Sequence, residues 1–272
     1  MKILANDGIS QSGVDALQNG GFEVITTKVA QVQLEKFINE HQIDVILVRS
    51  ATQIRQELID ACPSIKLIGR GGVGMDNIDV DYAINQGIHV INTPKASSNS
   101  VAELVFAHLF GMVRFLHQSN REMPLEGDSR FKDLKKAYAL GSELRGKKIG
   151  IIGFGRIGQE VAKKALGLGM EVIANDHFLE SAPITIDFFN GQKITITIET
   201  TDLDTLLKES DFISLHVPVQ ENYVISTEEI SKMKNGVGLI NAARGGVVDE
   251  MALIKAIEKN KIKFAGLDVF EK

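Results

Sequence analysis

The chain has 272 residues, of which 44% are apolar and 24% charged, as is typical of globular proteins with a sizeable core and room for two domains. Its net charge of −5 argues against a nucleic-acid or anionic-membrane partner, and a single cysteine excludes an intramolecular disulfide. The longest apolar stretch, Val101–Leu116, is interrupted by Glu103, His108 and Arg114, whereas a membrane helix needs ~20 mostly apolar residues. We therefore expect a cytoplasmic protein.

Short apolar runs alternate with amphipathic segments in the first third of the chain. The predicted strands are Lys2–Ala5, Phe22–Thr26, Asp44–Val48, Lys66–Gly69 and His89–Ile91, and the predicted helices between them include Ser12–Asn19 and Gln31–His41. Strands that are apolar almost throughout indicate a parallel sheet covered on both faces. Residues 1–98 are therefore predicted to form a doubly wound α/β domain.

A helix and a polar segment come next. Ser100 and Glu103 have the spacing of a capping box ahead of an apolar run, which predicts a helix over Ser100–Leu116. The polar segment Glu122–Gly146 contains three glycines and is interpreted as a linker or arm.

The strand–helix alternation restarts at Lys147. The predicted strands are Lys147–Ile152, Glu171–Asn175, Phe212–His216, Gly238–Asn241 and Ala265–Val269, and the predicted helices are Ile157–Leu168, Asp202–Ser210, Thr227–Met233 and Asp249–Asn260. Ile184–Ile198 alternates apolar and polar residues around Asn190-Gly191, which predicts a β-hairpin. Residues 99–272, including the helix and arm, are predicted to form a second, Rossmann-type parallel-sheet domain.

The segment Gly153–Gly158 has the pattern G-x-G-x-x-G between a predicted strand and a predicted helix. Gly153 permits a tight turn, Gly155 lets the backbone approach a pyrophosphate, and Gly158 lets the helix pack closely on the strand. Asp176 lies 18 positions after Gly158 at the end of the next strand, where a carboxylate can accept both ribose hydroxyls and would repel a 2′-phosphate. The predicted cofactor is NAD. In the alternative interpretation, the glycines serve only the turn and Asp176 is a solvated acid.

Three further loops follow predicted strands, at whose carboxyl ends ligands of open α/β sheets bind. Arg244 precedes two glycines and could clamp a carboxylate, or be a surface arginine before a helix capped by Asp249. Gly69–Gly74 could hold a small anion through backbone N–H groups, or be a flexible turn. Arg49–Thr52 could bind a phosphate or carboxylate, or be a solvated loop.

Oxidation of an alcohol by hydride transfer needs a general acid/base, usually a histidine held by a carboxylate. His216 is the one histidine at a strand end in the second half, but no carboxylate is placed by sequence to orient it. It is either that base or a wall residue of the cofactor site. No metal site is predicted.

Taken in order, eight motifs resemble the D-isomer-specific 2-hydroxyacid dehydrogenase family over nearly the whole chain: Arg49–Thr52, Gly69–Asp79, Asn92–Pro94, Ser100–Glu103, Gly150–Gly158, His216–Pro218, Asn241–Glu250 and Gly266–Phe270. Among the members of this family, the enzymes that oxidise D-3-phosphoglycerate have the most similar motifs. The resemblance implies a flavodoxin-like substrate domain, a Rossmann NAD domain, an active site between them and a homodimer formed through the helix Ser100–Leu116 and the arm.

The resemblance also implies site residues. Arg244 would be catalytic and hold the substrate carboxylate and carbonyl oxygen. The other implied substrate contacts are Arg49, Ser50, Val73 and Gly74, with Arg49 at the substrate phosphate. The implied cofactor contacts are Val73, Gly153, Gly155, Arg156, Ile157, Gly158, Asp176, His216, Val217, Pro218, Ala242, Ala243, Arg244 and Asp268.

The family's catalytic arginine acts with a glutamate and a histidine. The glutamate comes five positions after the residue matched by Asp268, which is one position past Lys272, and the histidine and the closing helix come later. We therefore expect a fragment, a truncated product or the ordered part of a longer protein, with the closing segment absent. The 272 residues are expected to bind NAD with little or no turnover.

Other functions remain open at this point. A glyoxylate or hydroxypyruvate reductase, or a D-lactate dehydrogenase, would use the same fold on another 2-hydroxy acid. A non-catalytic NAD-binding sensor or interaction module would need no catalytic set.

Overall fold

The computed structural model describes residues 1–271, which divide into two compact units with the boundary between Ser97 and Ser98. Each unit contains a five-stranded, all-parallel sheet with helices in the connections. The predicted fold class, two doubly wound α/β domains, is thereby confirmed.

The first unit has strand order β2-β1-β3-β4-β5, the flavodoxin-like order. Its strands are β1 Lys2–Ala5, β2 Glu23–Ile25, β3 Val45–Val48, β4 Leu67–Arg70 and β5 His89–Asn92. Its helices are α1 Gln11–Asn19, α2 Gln31–His41, α3 Gln56–Ala61 and α4 Val80–Asn85. Leu4, Ile46 and Ile68 from three neighbouring strands pack with Leu34 and Ile38 of α2 in its core.

The second unit has strand order β12-β11-β10-β6-β7, with a separate two-stranded hairpin. Its strands are β6 Lys148–Ile152, β7 Glu171–Asn175, β8 Ser181–Asp187, β9 Lys193–Glu199, β10 Phe212–Leu215, β11 Val237–Asn241 and β12 Ile262–Leu267. Its helices are α5 Ser98–Val113, α6 Leu116–Tyr138, α7 Arg156–Gly167, α8 Leu203–Glu209, α9 Thr227–Lys232 and α10 Glu250–Glu258. The strand predicted over Ala265–Val269 lies earlier in the chain, because β12 runs over Ile262–Leu267. It begins at Ile262, which is fully buried and pairs with Val237.

The predicted linker over Glu122–Gly146 is wrong, because most of it lies in the 23-residue helix α6. The segment is rich in helix-forming residues, but its proline and glycines favoured the linker interpretation. The helix has a kink at Arg130 (φ −123°, ψ 19°). Leu134 is buried, and the Tyr138 hydroxyl donates to Glu122 Oε2 at 2.7 Å, which joins the helical segments on the two sides of the kink.

The capping-box prediction at Ser100 is also wrong. Helix α5 begins two residues earlier, at Ser98, and the Glu103 carboxylate accepts a hydrogen bond from the Asn99 side chain at 2.7 Å. Among residues 1–271, no single helix is long and apolar enough to span a membrane; α5 and α6 meet the length and composition criteria only as a pair bent by 53°.

The predicted hairpin is confirmed as β8 and β9, paired antiparallel from Ser181–Glu199 to Asp187–Lys193. Gly191 has φ +83° in the connecting turn, which glycine adopts without strain. Ala182, Ile184 and Ile198 on one face of the hairpin are buried in the same core as α5 and α7. The hairpin therefore takes part in the core of the second unit.

Candidate functional site

The glycine loop after β6 adopts a conformation that side chains would obstruct. Gly153 has φ +91°, and a Cβ there would lie 2.6 Å from the His216 carbonyl oxygen. A Cβ on Gly158 would lie 2.2 Å from the Gly153 carbonyl oxygen, so helix α7 can approach the loop this closely only with glycine. Gly155 is the N-cap of α7 and has open space where a Cβ would project.

The peptide groups of Phe154, between these glycines, are held on both sides. The Phe154 N–H donates to Asp176 Oδ2 at 2.7 Å, and its carbonyl accepts from the Gln159 side-chain amide at 2.9 Å. The other oxygen of Asp176, Oδ1, accepts the N–H groups of Phe178 at 2.8 Å and Leu179 at 3.2 Å. The Asp176 carboxylate thus joins the glycine loop to the turn that leaves β7.

Because all five main strands are parallel, their carboxyl ends share one edge of the sheet. This edge carries the predicted cofactor residues of the second unit, in the loops Gly153–Gly158, His216–Pro218 and Ala242–Arg244 and at Asp176 and Asp268. Val73 belongs to the first unit. Arg156, Pro218 and Asp268 are exposed at this edge, and Ile157, Val217, Ala242 and Ala243 are half-buried.

His216 is held without a carboxylate. Its Nε2 lies 2.9 Å from Ser214 Oγ, and its Nδ1 is inaccessible and has no hydrogen-bond partner among the described residues. Burial lowers the pKa of the imidazole to about 3. A neutral ring with so low a pKa favours the wall-residue interpretation over the general-base interpretation.

The loop that carries Arg244 is shaped by Asn241, the last residue of β11. The buried Asn241 side chain accepts the Ala243 N–H at 3.1 Å and donates to the Arg244 carbonyl at 2.9 Å. Arg244 Nη1 donates to the Ala243 carbonyl at 2.7 Å. A Cβ on Gly245 would lie 1.9 Å from the Phe270 carbonyl oxygen, so the segment after β12 packs directly on this loop. Asp249 caps α10 by accepting the Ala252 N–H at 2.9 Å.

In the first unit, the loop Arg49–Thr52 is fixed by two side chains that the sequence did not single out. The Asp7 carboxylate accepts the Arg49 N–H at 2.7 Å, the Thr52 N–H at 3.1 Å and the Thr52 hydroxyl at 2.7 Å. The Asn77 amide donates to the carbonyls of Arg49 at 2.9 Å and Thr52 at 2.6 Å. Burial opposes ionisation of Asp7, but these hydrogen bonds outweigh it and hold its pKa below the usual carboxyl range.

Arg49 and Arg70 line a pocket of about 650 Å³ at the carboxyl end of the first sheet, together with Asp7, Ser10 and Asn92. Ser50, Val73 and Gly74 do not line this pocket. The Asn92 amide donates to the Val73 carbonyl at 2.7 Å. Within residues 1–271 no group accepts the N–H of Val73 or Gly74, which leaves both available to a ligand.

Sequence reasoning gave no role to the supporting residues Asp7, Asn77, Gln159 and Asn241. Asn77 and Asn241 lie within motifs of the resemblance, whereas Asp7 and Gln159 are polar residues next to predicted ligand segments, a signature that many solvated residues share. In the described part of the chain, no group of three or more histidine, cysteine or acidic side chains could hold a metal ion.

A glycine cradle, a helix N-terminus and a strand-end carboxylate together define a dinucleotide-binding protein. Residues 106–272 match the profile described as "D-isomer specific 2-hydroxyacid dehydrogenase, NAD binding domain". The chain belongs to this family, and the resemblance stated from the motifs is confirmed. The family match also confirms NAD as the cofactor, and the open space at Gly155 and the closeness of Gly153 to His216 fit a loop that receives a pyrophosphate.

Similar proteins differ in substrate and length. The chain is 43% identical to a hydroxypyruvate reductase of Thermotoga maritima, matched over 99% of this chain and 83% of the reductase. It is 39% identical to a D-3-phosphoglycerate dehydrogenase of Archaeoglobus fulgidus. That match covers 100% of this chain but only 49% of the dehydrogenase. The structure of a D-lactate dehydrogenase from Aquifex aeolicus with NAD and lactic acid superposes with a TM-score of 0.73 at 35% identity, covering 100% of this chain and 78% of the other.

Proposed function

We propose that the chain is the NAD-binding and substrate-binding part of an enzyme that oxidises D-3-phosphoglycerate to 3-phosphohydroxypyruvate, a reaction of serine biosynthesis. The observation that carries the proposal is that two arginines, Arg49 and Arg70, line one pocket of the first unit. Two arginines can meet the charge of a phosphate with charge-assisted hydrogen bonds. Residues 1–98 would hold the substrate and residues 99–272 the cofactor.

Each group has a separate task in this proposal. Arg49 and Arg70 bind the substrate phosphate, Ser50 is a further substrate contact, and the backbone N–H groups of Val73 and Gly74 bind the substrate's polar oxygens. Arg244 holds the carboxylate and the developing carbonyl oxygen, which favours the transition state electrostatically. Bound NAD supplies the hydride acceptor.

We further propose that Arg244 serves as the arginine of the family's arginine–glutamate–histidine set and that His216 does not serve as its histidine. The pKa of His216, held at about 3 by burial, makes it a poor substitute base.

The phosphate role of Arg49 can be tested on the gene's whole product, read to its stop codon. Formation of NADH is measured with D-3-phosphoglycerate and with D-glycerate for the wild type, Arg49→Ala and Arg49→Lys. Loss of charge-assisted contacts worth about 1.5–3 kcal/mol predicts that Arg49→Ala raises KM for the phosphorylated substrate at least tenfold. The KM for D-glycerate should change little, and Arg49→Lys should recover part of the loss. Equal effects on both substrates would refute a phosphate contact.

A hydroxypyruvate reductase is the second candidate. It is favoured by the 43% identity to the Thermotoga reductase, of which the chain covers 83%. The same assay separates the two, because this candidate requires efficient NADH-dependent reduction of hydroxypyruvate and little activity on phosphorylated acids.

We also propose a cytoplasmic homodimer formed through α5 and α6. Helix α6 leaves Leu125 and Phe131 exposed, as is Leu140 just after it, and a dimer interface over α6 would cover such large apolar side chains. Sedimentation equilibrium of the wild type and of a Leu125→Glu, Phe131→Glu double variant tests this. A monomeric wild type would refute it.

A further inference from the structure

Besides its proposed contact to the ribose, the Asp176 carboxylate contacts the protein's own backbone. Both of its oxygens accept backbone N–H groups: Oδ2 that of Phe154 at 2.7 Å, and Oδ1 those of Phe178 and Leu179. A charged acceptor strengthens such hydrogen bonds. The carboxylate therefore restrains the backbone of the glycine loop itself.

Gln159 restrains the same stretch of backbone from the other side. Its amide donates to the Phe154 carbonyl at 2.9 Å, and this carbonyl belongs to the peptide unit that also contains the Gly155 N–H. In a trans peptide the N–H points away from the carbonyl, so the Gly155 N–H is directed opposite to Gln159. Asp176 and Gln159 thus fix two successive peptide units, those before and after Phe154.

We infer that Asp176 is a positioning residue for the pyrophosphate loop in addition to its proposed ribose contact, and that Gln159 is its partner in this task. The inference rests on the proposed NAD site and adds a function that needs no ribose hydroxyl. When the carboxylate is removed, the Phe154 N–H loses its acceptor and the loop can turn its N–H groups away from the phosphates.

Nucleotides that lack the ribose hydroxyls separate the two roles of Asp176. Binding of ADP and of 2′,3′-dideoxyadenosine 5′-diphosphate to the 272-residue polypeptide is measured by calorimetry. A pure ribose role predicts that Asp176→Ala weakens ADP binding and leaves the dideoxy compound unaffected. Positioning predicts that Asp176→Ala weakens both, the dideoxy compound by about tenfold, which is the loss of one hydrogen bond to a charged group.

Gln159→Leu provides an independent arm, since Gln159 has no proposed contact to the ribose. It should weaken both nucleotides by the same factor. Lys163→Gln, farther along α7 and ion-paired with Glu160, is the matched control and should leave both affinities unchanged.

Hydrogen exchange of the Phe154 amide without nucleotide adds a readout independent of binding. Exchange should be slow in the wild type and faster in Asp176→Ala, with the melting temperature recorded to exclude global unfolding. If Asp176→Ala binds the dideoxy compound as tightly as the wild type does, the positioning role is refuted and the proposed NAD site is not. A wild type that binds ADP but not the dideoxy compound would also refute the positioning role and leave the NAD site standing. A wild type that binds neither ADP nor NAD would overturn the proposed function as well.

Discussion

Asp7 and Thr52 are joined by two hydrogen bonds, from the Thr52 hydroxyl at 2.7 Å and its backbone N–H at 3.1 Å. Because Asp7 also accepts the Arg49 N–H, one carboxylate ties the loop after β1 to the loop after β3. We predict that Asp7→Ala lowers the free energy of unfolding by about 1.5–3 kcal/mol, since the buried Thr52 loses a charged acceptor for two of its donors. Urea unfolding measures the change.

Asp15 on α1 is the matched control for Asp7. Its carboxylate is exposed and accepts only a hydrogen bond from Gln11 on the same helix. Asp15→Ala should therefore change the free energy of unfolding by less than about 0.5 kcal/mol. Equal losses in the two variants would contradict the role given to Asp7.

Substitution of Gly158 should damage both stability and cofactor binding. A Cβ at this position would lie 2.2 Å from the Gly153 carbonyl, so Gly158→Ala must push α7 away from the glycine loop. We expect a loss of about 1–3 kcal/mol in unfolding free energy and a weaker affinity for NAD, measured by thermal melting and calorimetry.

At Gly167, the last residue of the same helix, we expect substitution by alanine to leave stability intact. Gly167 is exposed, and no atom lies within 4 Å of the position that a Cβ would take. Gly167→Ala should be neutral or stabilise by up to about 1 kcal/mol, because alanine favours the helix. A destabilised Gly167→Ala together with a tolerated Gly158→Ala would show that close packing is not what requires glycine at Gly158.

The half-buried His216, whose Nδ1 is inaccessible, predicts a pH dependence of stability. Its folded pKa is about 3 because of burial, whereas an unfolded histidine titrates near pH 6.5. Below pH 6.5 the unfolded state binds a proton that the folded state does not, so stability is full above this pH and falls as the pH drops. Between pH 7 and 5.5 the contribution amounts to about 1 kcal/mol.

The variant His216→Gln isolates this contribution, since glutamine does not titrate. Its free energy of unfolding should fall less than that of the wild type between pH 7 and 5.5, when both are measured by urea unfolding. His177→Gln is the control, because His177 is exposed. Parallel pH profiles for wild type and His216→Gln would refute the assignment.

Two isoleucines of the hairpin predict opposite outcomes. Ile184 is 1% exposed and packs in the core with α5 and α7, whereas Ile194, two residue pairs closer to the hairpin turn, is 52% exposed. Ile184→Ala should cost about 2–4 kcal/mol and Ile194→Ala less than about 1 kcal/mol in unfolding free energy. Similar small losses would mean that the hairpin is only loosely attached.

The features predicted best were those whose cause is local. The turn at Gly153, the hairpin turn at Gly191 and the apolar strands of both sheets each have a pattern readable within about ten residues. Helix α6 was missed because its helix-forming residues are interrupted by Pro124 and Gly127, and because the burial of Leu134, which favours the helix, is visible only in the folded chain.

Residues of the candidate site could be predicted where they belong to a sequence motif. They could not be predicted where contacts between distant parts of the chain hold them in place. The glycine loop and Asp176 follow from spacing alone. The support that Asp7 and Asn77 give to Arg49 joins residues 42 and 28 positions apart, so no local pattern could reveal it. The neutral state of His216 likewise depends on burial, which only the folded chain creates.

Strand β7 is an outermost strand of its sheet, and such strands can recruit a strand from another molecule. The hairpin lies beside it: Thr200 forms a parallel bridge with Ala174, and the Thr201 N–H donates to the Ala174 carbonyl at 2.8 Å. The Ala174 carbonyl, which would otherwise be open to intermolecular pairing, is therefore satisfied within the chain. The residues that directly follow the hairpin thus protect the carboxyl end of β7, beside Asp176, from strand-to-strand aggregation.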